Sequence, residues 1–390
     1  MQTADVVVIG GGVMGASIAL HLARLGFGRI VVLERESLCA GSTGRSVACV
    51  DLLSQQPCVA ALQVRSLAAF QHCAEVYGDT CGWVNTGFAM LAGPESAGGV
   101  RAIARVMCAA GGRVQLLSPE DYRQLDPACA CDQGTLISWA AEAGRLDPVL
   151  LTTTLMNAAR ALGVDLCQGQ AAMRLCWQGE RVTGVRLSGG GTVAAGAVVV
   201  AAGPWTAQFL RAEGIDLPLR PHRHDVAVLA CPPEAGPRVS VLDTCNLFYA
   251  CPETGGLTVC GSLDVSVGYQ CMQPDDECPA PPMAYGGWVW EHMLARYPGL
   301  TRGELRKGWS GPITLSPDGQ ALLGRLALDG LYCACGFSGT GIKIAPAVGE
   351  SLALLIAGDA AGDEALHRLR PARFAEGEPL DNPHTWGTIG

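Results

Sequence analysis

The first 34 residues contain the pattern that most constrains how this chain can fold. Residues 6–9 form a short apolar run that ends in Gly10, residues 13–25 have helical spacing of apolar side chains, and residues 30–33 form a second apolar run that ends in Glu34. Short runs that are apolar at every position are typical of parallel strands buried on both faces. The segment therefore predicts a β-α-β unit within an α/β fold.

The turn between the first strand and the helix carries three glycines in the spacing GxGxxG. Gly10 permits the tight turn, Gly12 lets the backbone approach a pyrophosphate, and Gly15 lets the helix pack closely against the strand. Amide groups at the start of the helix then bind the phosphates, and the Glu34 carboxylate accepts hydrogen bonds from ribose hydroxyls. The first predicted residues of this dinucleotide site are Gly10, Gly12, Val13, Met14, Gly15 and Glu34. They allow either NAD or FAD, whereas the carboxylate of Glu34 disfavours the 2′-phosphate of NADP.

Composition and charge exclude several classes of partner. Of the 390 residues, 49% are hydrophobic and 16% are charged, which is typical of a globular chain with a large core. Lys and Arg number 27 against 36 Asp and Glu, so the net charge is −9. Because phosphate binding needs clustered cations, we predict no nucleic-acid partner and no docking on an anionic membrane. A long uncharged stretch, residues 189–210, contains Gly196, Gly203 and Pro204 and predicts a buried strand and turn, so we predict no membrane span.

The 18 cysteines are scattered through the chain and include no CxxC pair. Disulfide frameworks are typical of short secreted chains, and the two CxC pairs, Cys129 with Cys131 and Cys333 with Cys335, have poor zinc spacing. We predict no metal site and interpret the cysteines as small apolar residues in a reducing compartment. Residues 1–5 contain no basic segment of the kind that begins a signal peptide, so a cytoplasmic protein is expected.

Strand and helix patterns recur along the chain and predict its domain organisation. Residues 181–193 predict a hairpin with glycines 189–191 at its turn, and residues 198–200 and 331–335 predict further buried strands. Antiparallel patterns lie between these segments. We predict one domain assembled from residues 1–85, 145–220 and 320–370, and a second domain from residues 86–144 and 221–319. Residues 371–390 are polar, contain prolines and predict a loosely ordered tail.

Three later motifs add a family resemblance to this pattern. They are the segments GSTGRS at residues 41–46, AAGPW at residues 201–205 and GFSGTGIK at residues 336–343. With the first turn they resemble the FAD-dependent amine and amino-acid oxidoreductases of the D-amino-acid-oxidase superfamily. The resemblance is to the branch that contains sarcosine oxidase β subunits, dimethylglycine oxidase and glycine oxidase, and it extends to about Leu355. It implies an α/β (α+β) fold in which an antiparallel substrate domain is inserted into a Rossmann-like FAD domain.

The resemblance also implies which residues bind FAD. Hydroxyl groups in the 41–46 loop are expected to donate to the pyrophosphate and ribityl chain. The helix that follows the last motif is expected to direct its positive end at the flavin and stabilise the anionic reduced form. The residues implied in addition to the first turn are Arg35, Ser42, Thr43, Arg45, Ser46, Ala172, Ala202, Gly203, Trp205, Gly339, Gly341, Ile342 and Lys343.

Two positions bear on how the flavin is attached. Arg45 stands where certain dehydrogenases of the family carry a histidine linkage, and Gly311 falls near the cysteine that carries flavin in monomeric sarcosine oxidases. Neither residue can form such a bond. We therefore predict FAD that is bound noncovalently.

Family members remove a hydride from the carbon beside an amine, and the resulting imine is hydrolysed. Lys343 matches a lysine that binds the substrate carboxylate, His224 resembles a histidine near the reacting amine, and Tyr249 matches a tyrosine of the substrate pocket. An imidazole with a pKa near 6.5 can accept an amine proton. The resemblance thus implies a small amine or amino-acid substrate.

Asp51 departs from the family pattern. Many relatives of the β-subunit type carry an arginine at this place, and the arginine that glycine oxidase uses falls near Ile313. Because two carboxylate-binding arginines are missing, we hypothesise that Asp51 lines the pocket and favours a cationic group, so that the substrate is neither plain sarcosine nor glycine.

Several functions stay open at this point. Electrons from the flavin pass to O2 or to another carrier. The second interpretation is an FAD-dependent hydroxy-acid dehydrogenase, and the third is an FAD-holding subunit that passes electrons to partner subunits. A dehydrogenase that uses only NAD is disfavoured, because the 336–343 loop has no role in it.

Overall fold

The computed structural model describes residues 2–381. The helices are α1 (Val13–Arg24), α2 (Pro57–Gln71), α3 (Cys73–Tyr77), α4 (Ala97–Ala109), α5 (Pro119–Leu125), α6 (Pro148–Ala161), α7 (Thr206–Arg211), α8 (Met283–Leu294), α9 (Gly341–Ala357) and α10 (Glu364–Arg368). The strands are β1 (Gln2–Ile9), β2 (Ile30–Leu33), β3 (Cys49–Val50), β4 (Phe88–Ala92), β5 (Gln115–Leu117), β6 (Leu136–Ala140), β7 (Gly144–Arg145), β8 (Asp165–Cys167), β9 (Ala172–Gln178), β10 (Arg181–Leu187), β11 (Thr192–Val200), β12 (Arg220–Ala230), β13 (Ser240–Asp243), β14 (Phe248–Pro252), β15 (Leu257–Ser262), β16 (Tyr269–Cys271), β17 (Glu304–Leu315), β18 (Leu322–Arg325) and β19 (Leu331–Cys335).

The first sheet is built around β1. Strands β8, β2, β1, β11 and β19 run parallel in that order, and β18 pairs antiparallel with β19. Val6 and Val8 contribute to a core shared with α1 and α9, whereas Val7 and Ile9 contribute to a core on the other face that includes β10 and α7. Both faces of β1 are therefore buried, which explains why residues 6–9 are apolar at every position.

The predicted hairpin is confirmed. Strands β10 and β11 pair antiparallel, and the amide of Leu187 donates to the carbonyl of Gly191 across the turn. The second half of β11 continues as a parallel neighbour of β1 and β19. One strand thus joins the hairpin to the centre of the first sheet.

The second sheet has nine strands that come from residues 88–140 and 220–315. Its pairs are antiparallel except for β4 with β13. The longest pair joins β12 to β17, and α8 packs beside it. The fold class predicted from the resemblance, a Rossmann-like α/β unit with an antiparallel sheet inserted, is confirmed. The exact domain limits stay a prediction.

Contacts between β17 and the 41–46 loop join the second sheet to the first. The indole nitrogen of Trp309 donates to the carbonyl of Arg45 at 2.9 Å. The loop itself follows β2, one of the strands that end beside the glycine turn. The second sheet is therefore held over the carboxyl ends of the parallel strands, where ligands bind in open α/β sheets.

The prediction of a loosely ordered tail is wrong for residues 371–381. Arg373 is fully buried, and its guanidinium makes two hydrogen bonds of 2.9 Å to Asp318. The side chain of Leu380 is also buried, and its amide donates to Asp318 at 3.1 Å. The buried bidentate ion pair thus holds this polar segment against the rest of the protein. The rest of the predicted tail, residues 382–390, lies outside the described residues.

Within residues 2–381, no helix combines the length and apolarity that crossing a bilayer requires. The same residues contain no group of three or more His, Cys, Asp or Glu side chains arranged to hold a metal ion.

Candidate active site

A cavity of about 690 Å³ lies between the two sheets. It brings together residues that the sequence places far apart, from the glycine turn at the amino terminus to the start of α9. The predicted site residues that line it are Gly10, Gly12, Val13, Met14, Glu34, Arg35, Ser42, Thr43, Arg45, Ser46, Asp51, Ala172, Ala202, Gly203, Trp205, His224, Tyr249, Gly339, Gly341, Ile342 and Lys343. Gly15 is the one predicted site residue that does not line the cavity.

The glycine turn is fixed by backbone contacts that leave no room for side chains. Gly10 has a φ of +117°, and a Cβ atom there would lie 2.4 Å from the carbonyl oxygen of Ala201. A Cβ atom on Gly15 would lie 1.9 Å from the carbonyl oxygen of Gly10. Gly15 therefore brings α1 against β1, as its place in the motif predicts, and Gly10 permits the turn.

Two side chains orient the backbone of this turn. Glu34 accepts from the amide of Gly11 at 2.6 Å through one carboxylate oxygen and from the amide of Glu36 at 2.8 Å through the other. Thr43 accepts from the amide of Val13, the first residue of α1, at 3.2 Å. The helix end thus faces the cavity with its amides held in place, which favours an anion there.

Arg35, Trp205 and Asp275 meet at the nucleotide end of the cavity. The guanidinium of Arg35 lies 4.5 Å from the ring centre of Trp205 and donates to Asp275 at 2.8 Å. The indole of Trp205 donates to the same carboxylate oxygen at 2.7 Å. Asp275 follows β16 of the second sheet, so this contact joins the two sheets across the cavity.

The last motif forms a loop that ends at the first turn of α9. Gly336, Ser338 and Gly339 have positive φ values, and α9 begins at Gly341. Its positive end therefore opens into the cavity, as the resemblance implies. Lys343 lies in this first turn.

Lys343 and Asp51 form an ion pair inside the cavity. Their side chains are 13% and 7% exposed. Gln63 of α2 donates to the other Asp51 oxygen with a long contact of 3.4 Å. The carboxylate that replaces an arginine thus neutralises the lysine expected to bind a substrate carboxylate. The hypothesis that Asp51 favours a cationic substrate group stays a prediction, and in the structure the cation paired with Asp51 is Lys343.

His224 and Tyr249 form a second pair on the wall contributed by the second sheet. The Nε2 atom of His224 and the hydroxyl of Tyr249 are 2.9 Å apart, and the ring of Tyr269 lies 4.4 Å from that of His224. Burial lowers the pKa of His224 to about 4, an effect that the charge of Asp225 and the carbonyl of Gly268 offset only in part. His224 is therefore neutral at pH 7, and its pKa is well below the value near 6.5 expected for it.

Burial raises the pKa of Tyr249, so its phenol is protonated as well. The Nδ1 atom of His224 is buried and has no hydrogen-bond partner of good geometry. A neutral imidazole and a neutral phenol side by side can bind an uncharged amine through hydrogen bonds, because each group can donate or accept.

Gly311 and Arg45 meet where the second sheet touches the 41–46 loop. A Cβ atom on Gly311 would lie 2.6 Å from the Cβ atom of Arg45. The Arg45 guanidinium donates to the carbonyls of Ala40 at 2.6 Å and Gly41 at 3.3 Å. The cavity wall at this point is therefore formed by a side chain and a backbone that cannot bond covalently to a flavin.

Sequence reasoning missed several residues of the cavity. Gly11 is the middle glycine of the turn, and its amide contact with Glu34 could have been inferred from the motif. Tyr269, Asp275 and Cys49 carry no local signal, because a segment of the second sheet or a short strand brings each of them to the cavity.

The residues present fit FAD. The turn leaves space for a pyrophosphate where side chains would collide, Glu34 lies at the end of β2, and α9 directs its positive end into the same cavity. These features supply backbone donors for the phosphates, acceptors for the ribose and a positive potential for a reduced flavin.

The match to a family model agrees with this geometry. Residues 5–355 match the family described as DAO, FAD dependent oxidoreductase. The match covers most of the chain, so the protein belongs to this family of FAD-dependent oxidoreductases, whose cofactor is FAD.

Curated relatives are similar over most of this chain. It is 27% identical over 359 residues to the 4-methylaminobutanoate oxidase (formaldehyde-forming) of Paenarthrobacter nicotinovorans, a match that covers 89% of this chain and 43% of that protein. It is 24% identical to sarcosine oxidase subunit beta of Arthrobacter, covering 92% of this chain and 88% of that subunit. The mouse and human sarcosine dehydrogenases match over 39% of their length. The chain thus spans about two fifths of the length of these dehydrogenases and of the 4-methylaminobutanoate oxidase.

A solved structure shows the same fold. The L-proline dehydrogenase from P. horikoshii superimposes with a TM-score of 0.89 and 24% sequence identity, covering 97% of this chain and 100% of that one.

Proposed function

We propose that this protein oxidises a C–N bond in a small amine or amino acid and passes the hydride to noncovalently bound FAD. The product is an imine, which water then hydrolyses. One observation carries the proposal: a single cavity joins the glycine turn to the His224–Tyr249 pair and to the start of α9. The names of the relatives, which include oxidases and dehydrogenases of amines, support it.

FAD supplies the chemistry when bound, since its flavin accepts two electrons as a hydride. The protein must bind the amine in its uncharged form, because the nitrogen lone pair assists hydride loss only when no proton occupies it. His224 is neutral at pH 7, so its ring carries no positive charge that would repel a protonated amine as it enters the cavity. We propose that His224 and Tyr249 orient the amine nitrogen by hydrogen bonds.

The test is an anaerobic screen in which FAD-loaded protein is mixed with amines, amino acids and hydroxy acids while flavin absorbance is recorded. We expect at least one amine to bleach the flavin and hydroxy acids to leave it oxidised. Tyr249→Phe should slow bleaching by about tenfold or more, because one hydrogen bond to the amine is lost. His224→Gln should also slow it, because the glutamine amide does not reproduce the position of the imidazole ring against Tyr269. Bleaching by hydroxy acids alone would contradict the proposal and favour the hydroxy-acid dehydrogenase.

The rate of bleaching should rise with pH until the amine substrate is deprotonated. His224 contributes no ionisation near neutrality, because its pKa is about 4. The His224→Gln variant should therefore keep the same pH profile at a lower rate. A profile whose inflection near pH 6.5 disappears in the variant would show that His224 acts as the base.

Noncovalent attachment is supported by Gly311 and Arg45, which line the cavity at the two positions where the family resemblance implies a flavin linkage in some members, and which cannot form such a bond. Acid precipitation should release all of the FAD into the supernatant. Colour that stays with the precipitated protein would contradict this part of the proposal.

The electron acceptor is either O2 or another carrier, and partner subunits are a further part of the proposal. Support comes from the longer relatives, of which this chain spans about two fifths, and from the relative that is named as a β subunit. Gel filtration of the chain expressed alone and with its neighbouring genes, combined with assays of peroxide formation and dye reduction, distinguishes the cases.

We also propose a cytoplasmic location, which the free cysteines support. All 18 cysteines, from Cys39 to Cys335, are thiols in the structure, and many are buried. Reduced thiols persist in a reducing compartment. Fractionation of the source cells with an antibody against the protein tests this point.

A further inference from the structure

The ion pair of Lys343 and Asp51 determines the charge that a substrate meets at the substrate end of the cavity, where α9 begins. Both side chains line the cavity and are almost buried. An unpaired lysine at this position would attract an anionic substrate, but the ammonium group of Lys343 is already paired with the carboxylate of Asp51. Gln63, which is also buried, donates weakly to the second Asp51 oxygen.

The start of α9 strengthens this pairing. The positive end of a helix stabilises a nearby carboxylate and disfavours a cation. Lys343 lies in the first turn of α9, so Asp51 compensates both the lysine and the helix end. Asp51 is therefore attracted by both Lys343 and the helix end, and a substrate carboxylate has to compete with Asp51 for both.

No other cation among the described residues that line the cavity is free to bind an anion. Arg35 is paired with Asp275 and Glu36, at the nucleotide end. Arg45 donates to two backbone carbonyls of its own loop. Lys343 is the remaining cation of the cavity wall, and it is paired.

The other polar groups near this end are neutral. Burial lowers the pKa of His224 to about 4 and raises the pKa of Tyr269. A hydrogen bond with Cys251, together with burial, raises the pKa of the Cys49 thiol. Around the ion pair, the wall thus offers hydrogen bonds without net charge.

An anionic substrate would place two carboxylates around one ammonium group in a nearly buried site. The second carboxylate gains little attraction, because its repulsion by Asp51 offsets the attraction to Lys343, and it loses its hydration. An uncharged group meets no such penalty.

We propose that Asp51 is a specificity-determining residue that prevents Lys343 from binding carboxylates, so that the substrates are amines without a carboxylate beside the oxidised carbon. The inference rests on the proposed function, since it names the class of amine.

The test compares benzoate with benzamide, two probes of nearly the same shape that differ in charge. Each is titrated into FAD-loaded protein, and binding is followed by the change in flavin absorbance. Wild type should bind benzamide at least as tightly as benzoate. Asp51→Asn, which keeps the shape and removes the charge, should tighten benzoate binding by about tenfold to a hundredfold and leave benzamide nearly unchanged.

Asp216→Asn is the matched control. Asp216 is an exposed partner of Arg211 that does not line the cavity, and the substitution changes the net charge of the protein by the same amount. Its benzoate and benzamide affinities should equal those of wild type. Equal tightening in both variants would assign the effect to overall charge and overturn the proposal.

Two further results would overturn it. One is a wild-type protein that prefers benzoate, a measurement that holds even if Asp51→Asn does not fold. The other is an unchanged benzoate affinity in Asp51→Asn, including no measurable binding in both proteins.

A substrate screen keeps this inference separate from the proposed function. Each α-amino acid is paired with its primary amide, and flavin bleaching is recorded without oxygen. Amides should bleach faster than acids in wild type, and Asp51→Asn should shift the ratio about tenfold or more towards the acids. If no amine of any kind bleaches the flavin, the proposed function fails, while the benzoate titration still decides the role of Asp51.

Discussion

The two ends of the cavity are built in different ways. At the nucleotide end, the decisive contacts are close approaches of backbone atoms, and the decisive feature of Gly10 and Gly15 is the side chain they lack. At the substrate end, the contacts are made by side chains from distant segments, such as Lys343 with Asp51 and His224 with Tyr249. The first end thus fits a cofactor class through shape, whereas we propose that the second end selects a substrate through charge.

The largest effect is expected from Gly15→Ala at the nucleotide end. The new Cβ atom would lie 1.9 Å from the carbonyl oxygen of Gly10, so α1 has to move away from β1. Ordinary overpacking costs about 1–3 kcal/mol, and a clash with a backbone oxygen should exceed this range, because that oxygen cannot rotate away as a side chain can. We expect purified protein with little or no FAD, measured as the ratio of flavin to protein absorbance.

Gly98→Ala is the control for that substitution. Gly98 lies in α4, and a Cβ atom there meets nothing within 4 Å. This variant should carry as much FAD as wild type. A Gly15→Ala protein that is fully loaded and as stable as wild type would show that shape does not determine the nucleotide end.

The next effect is expected from Lys343→Met at the substrate end. The substitution leaves the Asp51 carboxylate nearly buried, with only the long contact to Gln63. Breaking a buried ion pair costs about 3–5 kcal/mol, and the partial exposure of these side chains places the loss near the lower limit. Urea unfolding measures this free energy.

The double variant Asp51→Asn with Lys343→Met should recover most of the lost stability, because no unpaired charge remains. If Lys343→Met unfolds at the same urea concentration as wild type, the two charges do not stabilise each other, and the contrast between the two ends weakens.

A smaller effect is expected from pH. The pKa of His224 is lowered from 6.5 to about 4, so between these values the unfolded chain takes up a proton that the folded protein does not. Stability should therefore fall as pH falls, by about 2 kcal/mol between pH 7.5 and pH 5. The measurement is urea unfolding at both pH values.

His224→Gln should remove this part of the pH dependence, whereas His72→Gln, at an exposed histidine outside the cavity, should leave it in place. A slope that is the same in all three proteins would mean that His224 is not held neutral by burial.

The smallest effect is expected from Asp275→Asn. The Asp275 contacts with Arg35 and Trp205 join the two sheets at the nucleotide end, but the side chains of Arg35 and Asp275 are exposed to solvent. Exposed ion pairs contribute about 0.2–1 kcal/mol. The FAD dissociation rate, followed by the rise in flavin fluorescence on dilution, should increase by about two- to fivefold and depend on salt. An increase of a hundredfold would mean that side chains, and not the glycine turn, hold the nucleotide.

The nucleotide end could be predicted from the sequence because its information is local. The GxGxxG spacing, the apolar runs and Glu34 lie within 34 residues, and each has a physical role at its own position. The hairpin at residues 181–193 was predictable for the same reason, since three glycines mark its turn.

The substrate end could be predicted only in part. The resemblance to a family singled out Lys343, His224, Tyr249 and Asp51, all of which line the cavity, but their roles stay predictions. No sequence pattern indicates that Asp51 and Lys343, which are 292 residues apart, form an ion pair. The lowered pKa of His224 could not be predicted from the sequence either, because it results from burial of the side chain in the folded protein.

Residues 371–381 show that a polar composition does not by itself predict a loosely ordered segment. Residues 371–381 are polar, yet Arg373 is buried because Asp318, 55 residues earlier in the chain, accepts two hydrogen bonds from it.

The most direct test of the account is the flavin content of the purified chain. We predict a yellow protein that carries, or takes up on reconstitution, about one FAD per chain, and that releases all of it on acid precipitation. A colourless protein that cannot be reconstituted with FAD would contradict the account, because the assignments at both ends of the cavity depend on that cofactor.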